Sequence, residues 1–506
     1  MPPLDNQDIL GLSALLLATA LIWRLLRQQW RLRNIPGPFW ARFTDFHRAW
    51  FVKAKRSHSV QQQYHEHYGP LVRLGPNMVT VADPAAIPVI YPARPGFPKG
   101  AFYEAFIPYT KAGSPPAIFT ARDEDLHKRL KSPIASLYNL SNVVTLEGLV
   151  NEVLDLLCHQ LDSRFAVTDK FFDLAPWLQY FAFDVMGTMT FSQQYGFLEQ
   201  GDDVTGILGA IWKFMLTVAP MTQLPWLDKL LHKNALMLRL RPHGGNAVLK
   251  FAGDRVQERQ AAAASAKGAP TTTSEHADFL TRFLEIQASK PSTPPWAAMV
   301  WTFSNVIAGS DSTASVMQTV MYQLLAHPDS LRRLHEELQT VEKTTGLSRP
   351  LPAWQEVAGL PYLDACINEA IRLHPPFCLP LERVVPAEGV VVCGQYLPAG
   401  TIVGMNPYVV NRHRPTFGED ADDWRPERWL EGDAEHRRRL DASIMTFGAG
   451  RRVCLGRSVA LFEIKKTVPA LLLNYEIDLL DPKSHVQENS YFFRQSGINV
   501  RVKRRA

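Results

Sequence analysis

A chain of 506 residues has room for more than one domain, and 46% hydrophobic with 20% charged residues is ordinary globular composition, which excludes a disordered or fibrous protein. The formal net charge of +5 is mildly basic, but the basic residues form no long run beyond Arg437-Arg438-Arg439 and the tail from Arg501, so nucleic-acid binding gains no support. Five cysteines, odd in number and without a C-x-x-C pair, argue against a disulfide framework and a structural zinc site and fit a reducing compartment.

Ile9 to Trp23 carries no charge, and Leu25 and Leu26 follow the single Arg24. With Arg24 snorkelling to the interface, the stretch reaches the ~20 residues that a spanning helix needs. Asp5 and Asp8 precede it without Lys or Arg, whereas Arg24, Arg27, Arg31 and Arg33 follow. The positive-inside rule then predicts a single-pass anchor with its basic flank over 1–33 and a cytosolic domain over 34–506. Ala18-Thr19-Ala20 offers a cleavage site for the rival reading, a secretory signal, but no positive charge precedes the apolar run.

Ile35-Pro36-Gly37-Pro38 makes a stiff, non-helical hinge. Residues 69–91 alternate apolar and polar between Gly-Pro breaks and read as two hairpin strands and a short helix. From about 123 to 340 the pattern is mostly helical, except for the polar, low-complexity 259–276, expected to be an exposed loop. After Pro294-Pro295 an apolar run of roughly thirty residues ends near Ala326, before Pro328, and predicts a helix buried through the middle of the domain. A second helix over about 360–374 stops at Pro375-Pro376, and strands follow at 389–392 and 401–403. The pattern predicts one mainly α domain with small β-sheets at one side.

Residues 447–456 read FGAGRRVCLG. Glycines on both sides let the backbone approach a flat object closely, and Arg452 supplies a cation. The residues from Leu455 to Lys466 read as a helix, which places Cys454 at its N-terminus, where aligned amides stabilise a thiolate suited to bind iron.

The spacing F-x-x-G-x-R-x-C-x-G resembles the haem-binding loop of the cytochrome P450 family, the haem-thiolate monooxygenases. Glu369-Ala370-Ile371-Arg372 is similar to the family's E-x-x-R, and Pro426-Glu427-Arg428-Trp429 to its P-E-R-F, with Trp for Phe. The resemblance implies the P450 fold, haem b with Cys454 as axial thiolate, and contacts from Phe447, Gly448 and Gly456. It also implies that Glu369 and Arg372 bond with Arg428 in the haem-side core. Arg452 and Arg383, the latter in Leu381-Glu382-Arg383, stand as cations for the haem propionates. His127 and Lys131 occupy the family's W-x-x-x-R position, with His for Trp and Lys for Arg. Ala308-Gly309-Ser310-Asp311-Ser312-Thr313 resembles the oxygen-binding motif, so Asp311, Ser312 and Thr313 form the catalytic candidates; Ser312 stands where the family usually has Thr. Gly309 is expected to thin the helix where it crosses the haem, and the neighbouring hydroxyl to open the ladder of backbone bonds.

By the same resemblance the substrate walls come from 97–121, 211–227, 303–309, 376–381 and 491–497, with Phe102, Tyr103, Phe106, Phe119, Trp212, Phe214, Met215, Phe303, Phe377, Leu379, Phe492 and Phe493. That apolar, aromatic set suits a lipophilic small molecule containing a ring. The passages IPGPFWARFTDFHRAW at 35–50, YGPLVRLGPNMVTVADP at 68–84 and FPKGAFYEAF at 97–106 look like fungal members such as pisatin demethylase, a branch that serves secondary-metabolite biosynthesis. The implied activity is hydroxylation or epoxidation with O2 and two electrons from NADPH. The implied partner is a separate NADPH–cytochrome P450 reductase, and the implied location is the endoplasmic reticulum membrane with the main domain facing the cytosol. A haem-thiolate isomerase or dehydratase, working without external electrons, and a non-catalytic haem sensor are the alternatives.

Overall fold

Gly-Pro punctuation sets the first strands of the protein. The computed structural model describes residues 11–13, 15, 16, 19, 23, 27 and 29–505, except 95, 111, 112, 205, 241–246 and 266–277. Helices α1 (Phe46–Lys53) and α2 (Ser57–Tyr68) lead into β1 (Leu71–Gly75) and β2 (Met78–Val81), an antiparallel pair as the alternation predicts. Short helical turns at Pro84–Ala86 and Ile87–Ile90 follow.

The helical body begins with α3 (Glu124–Lys131) and α4 (Glu147–Leu161). Asp123 caps α3 by accepting from the Leu126 amide at 2.6 Å. Glu124 and Asp125 in the first turn and Lys128, Arg129 and Lys131 in the last complement the helix dipole. After the two-residue strand β3 (Phe172–Asp173) come α5 (Leu174–Phe191), α6 (Ile207–Thr222), α7 (Pro225–Leu231), α8 (Ala247–Ser265) and α9 (Phe279–Ser289). The 30-residue helix α10 (Ala297–Ala326) then crosses the interior, followed by α11 (Pro328–Thr344) and α12 (Pro361–Leu373).

Strands β4 (Arg383–Val384) and β7 (Ile402–Gly404) join the first hairpin in a sheet of order β1-β2-β7-β4, with β2 and β7 parallel. Between them lies the hairpin β5 (Val390–Val392) and β6 (Gln395–Leu397). Helix α13 (Arg457–Asn474) precedes β8 (Tyr475–Leu479), β9 (Val486–Ser490), β10 (Phe492–Ser496) and β11 (Asn499–Arg504). The architecture is mainly α with small sheets, as expected.

Helix α10 is the spine. Trp301 is buried at 1% exposure, and its indole donates to Leu130 O on α3 at 3.0 Å. Burying such side chains stabilises by roughly 1.5–3 kcal/mol each before entropy is counted. Helix α5 runs antiparallel against it: Gln318 donates to Ala175 O at 2.8 Å at one level, and Met186 meets Gly309 at another.

One expectation needs correction. The segment 259–276 is not a loop throughout, because α8 continues to Ser265. Ala261 to Ala264 are the strongest helix formers, and propensity outweighs low complexity there; 266–276 lies outside the described residues. Most of the apolar run 9–23 also lies outside them, and among the described residues no helix is long and apolar enough to cross a membrane.

Candidate active site

The loop 447–456 closes on itself through the Cys454 amide, which donates to Phe447 O at 2.8 Å. Gly450 has φ +61°, and a Cβ there would lie 2.1 Å from Tyr91 O. Only glycine allows that approach. Helix α13 starts at Arg457, two residues later than expected, with Gly456 at its N-cap. The backbone amides of Gly456 and Arg457 still act on the Cys454 thiol. Although the residue keeps one open side, desolvation by the chain around its sulfur pushes that thiol up from its ordinary value, and the backbone of Gly456 and Arg457 together with the charges of Lys131 and Arg457 pull it down.

Cys454 is exposed, whereas Cys158, Cys366 and Cys378 are buried and Cys393 is half-buried. Accessibility decides which sulfur can meet a ligand. Cys378 is fully enclosed, and burial holds its thiol well above the ordinary value.

Cations gather beside this loop from four parts of the chain. Arg383 on β4 donates to the Tyr103 hydroxyl at 2.7 Å and lies over the Tyr91 ring. Arg452 donates to Glu124 Oε1 at 2.5 Å and to Ala121 O at 3.0 Å. Lys131 does not stand free: its ammonium donates to Arg451 O at 2.9 Å and Val453 O at 3.4 Å, tying α3 to the cysteine loop. His127 is buried with Nδ1 lacking a partner, and burial together with Arg452, Lys99, Lys131 and Arg451 pushes it down to about 3.

Lys99, which sequence reasoning missed, completes the set. It is 4% exposed, donates to Phe119 O and lies 4.2 Å from the Tyr103 ring centre. Burial, then Arg383, Arg452 and Lys131, hold its ammonium well below the ordinary value. Glu124 is the carboxylate among these cations. A buried cation excess with an unpartnered imidazole atom fits a dianionic group, and the two propionates of haem match that chemistry.

The expected Glu369 network is present in full. Arg372 donates to Glu369 Oε2 and Oε1 at 2.9 and 2.8 Å, and Arg428 Nε donates to Oε1 at 2.9 Å. Although burial opposes ionisation, the bonds and charges of Arg372 and Arg428 hold this carboxyl below its usual range. The network is structural; none of its members meets the cation set.

On α10 the accessible stripe is Ala308, with Ser312 one turn later donating to Ala308 O at 2.6 Å. Thr313 is 2% exposed and donates to Gly309 O at 2.8 Å. Both hydroxyls bond back along an unbroken helix, so the expected opening of the ladder is absent. The room at Gly309 serves helix packing, because a Cβ would lie 2.9 Å from the Met186 thioether. Asp311 Oδ1 accepts from Gln179 Nε2 on α5 at 2.7 Å. Burial pushes its carboxyl up to about 6, against the Gln179 bond and the charge of Arg494.

An aromatic wall joins Phe102, Phe106, Phe119, Phe377 and Phe492 around Tyr491, whose ring lies 4.6 Å from Phe106. Two expected wall residues point elsewhere. Strand parity sends Phe493 away from Phe492, against His58, His374 and Tyr408. Trp212 lies between the cations of Lys55 and Arg494.

Residues 36–499 match the sequence profile described as Cytochrome P450. A cytochrome P450 monooxygenase of Aspergillus flavus is 52% identical over 481 residues, 95% of this chain and 94% of its own. The cytochrome P450 monooxygenase pkfB of Emericella nidulans is 51% identical, covering 98% of this chain and 97% of its own. A longer relative, a cytochrome P450 monooxygenase of Penicillium brevicompactum, is 53% identical over 99% of this chain, which spans 58% of that protein. By these likenesses the chain belongs to the cytochrome P450 family: it is a haem-thiolate monooxygenase.

Proposed function

We propose that the protein inserts one oxygen atom into a C–H or C=C bond of a lipophilic, ring-containing small molecule, as a tailoring step in secondary-metabolite biosynthesis. The balance is substrate, O2, NADPH and one proton giving oxygenated substrate, NADP+ and water. A separate NADPH–cytochrome P450 reductase supplies the two electrons, and Arg451 and Arg457 offer it basic charge beside the cysteine loop. Residues 1–33 anchor the catalytic domain, 34–506, to the endoplasmic reticulum membrane, with that domain in the cytosol. The one-sided arginines support this orientation.

Haem bound at Cys454 supplies the redox chemistry. Cys454 would ligate its iron, being the exposed cysteine, with the backbone of Gly456 and Arg457 favouring its thiolate. Lys99, His127, Arg383 and Arg452 would hold the propionates, and Lys131 fixes the loop. The wall around Tyr491 admits an apolar substrate and excludes water. The Asp311–Ser312 pair carries the reading: a carboxyl poised at about 6, beside a hydroxyl on the accessible face, takes up and releases protons near neutral pH. Thr313, buried against Gly309, supports the helix. An isomerase or dehydratase needs no such relay, and neither does a haem sensor.

The test is expression with a reductase under 18O2 and mass spectrometry of fungal extracts. One labelled oxygen per product, dependent on NADPH, supports the reading; products formed without NADPH favour the isomerase.

A further inference from the structure

Asp311 lies where two helices are locked together on both sides of it. Along α5 and α10, Ala175 O accepts from Gln318, and the Met186 thioether fills the space left by Gly309. These contacts hold the helices at a fixed distance, so the Gln179 side chain reaches Asp311 in one register. Its Nε2 donates to Oδ1 at 2.7 Å. Arg494 of β10 is the charge that acts on the same carboxyl.

The chemistry of the donor matters. A Lys or Arg bonded to Asp311 would neutralise it and hold it ionised through the working pH range. A carboxamide holds one oxygen without adding charge. Because Oδ1 already accepts an N–H, the proton of the neutral acid belongs on Oδ2. We propose that Gln179 is a positioning residue for proton transfer: its amide fixes the Asp311 carboxyl so that Oδ2 takes up and releases the proton. The proposal rests on the reading of Asp311 as a proton relay.

The test uses the full-length holoenzyme with its reductase and needs no substrate. Two electrons and two protons turn O2 into hydrogen peroxide; two more of each, delivered productively, give water. Peroxide released per O2 consumed therefore reports proton delivery. A second readout is the infrared carboxyl stretch of Asp311, titrated with pH and identified by subtracting Asp311→Asn. In Gln179→Leu the peroxide fraction rises roughly fivefold, the scale of one hydrogen bond, and the Asp311 titration moves up by roughly one pH unit. In Gln179→Glu the defect appears at high pH and is rescued at low pH, where the new carboxyl is protonated and donates again. This second variant carries the test should Gln179→Leu not accumulate. A bond that served only helix packing would change thermal stability and leave the titration and the peroxide fraction unmoved, which overturns the proposal. If Asp311→Asn raises peroxide and both Gln179 variants do not, the proposal falls and the relay stands. If Asp311→Asn itself leaves peroxide unchanged, the relay reading fails first and takes the proposal with it.

Discussion

The indole of Trp429 donates to Glu369 Oε2 at 2.9 Å. This is the position where the family's P-E-R-F pattern has Phe, a side chain with no donor. The carboxylate therefore receives a bond from the very residue that departs from the pattern, in addition to Arg372, Arg428 and the Arg425 amide. All of these surround a fully buried glutamate.

Trp429→Phe should lower the unfolding free energy of the holoenzyme by roughly 1.5–3 kcal/mol, the range for a bond to a charged group. Glu369→Ala should cost more, roughly 3–5 kcal/mol, because it leaves Arg372 and Arg428 buried without their carboxylate. Urea midpoints followed by the haem absorbance measure both. Equal midpoints for wild type and Trp429→Phe would mean that the indole bond contributes nothing.

An accessible and an enclosed cysteine part cleanly under mutation. Cys454→Ala should abolish the thiolate signature of the reduced carbon monoxide complex and all turnover. Cys378→Ala should keep the signature, because its sulfur is enclosed. The opposite result would move the ligand from Cys454 to Cys378.

Lys99→Met should act in opposite directions on the two forms of the protein. Without haem, removing a buried ammonium from beside Arg383 and Arg452 relieves repulsion, so the apoprotein should melt at a higher temperature. With haem, a propionate partner is lost, and haem transfer to apomyoglobin should quicken roughly tenfold. An unchanged transfer rate would place Lys99 outside the haem site.

Asp311 sets a pH dependence of stability. Its folded value of about 6 lies above the ordinary 3.8, so its neutral form is the one the fold favours. Its contribution is full below 3.8 and is lost as pH rises through about 6. Asp311→Asn should therefore melt above wild type at pH 7.5, with the advantage vanishing near pH 3.8. A constant difference across that window would contradict the shifted carboxyl.

Ser312→Ala should release more peroxide per O2 than Thr313→Ala, because Ser312 shares the accessible stripe with Ala308 while Thr313 is buried. Thr313→Ala should instead lower thermal stability. If only Thr313→Ala raises peroxide, the hydroxyl that matters is the buried one.

Short spacings and turn chemistry carried far in the sequence alone. The ten residues from Phe447 to Gly456, the Glu369–Arg372 pair on one helix face, the thirty-residue span of α10 and the first hairpin are set by local backbone geometry and periodicity, which the chain displays one residue after another. Tertiary structure decided the rest, because it depends on which distant segments meet. Lys99 and Glu124 join the cations beside the cysteine loop through space and share no motif with Cys454. Gln179 meets Asp311 only because α5 and α10 pack at the distance that Gly309 and Met186 permit. Trp212 turns to two cations, and Phe493 to the far face of its strand. Among five cysteines, burial left Cys454 accessible, and burial is a property of the packed chain, not of any single stretch of it.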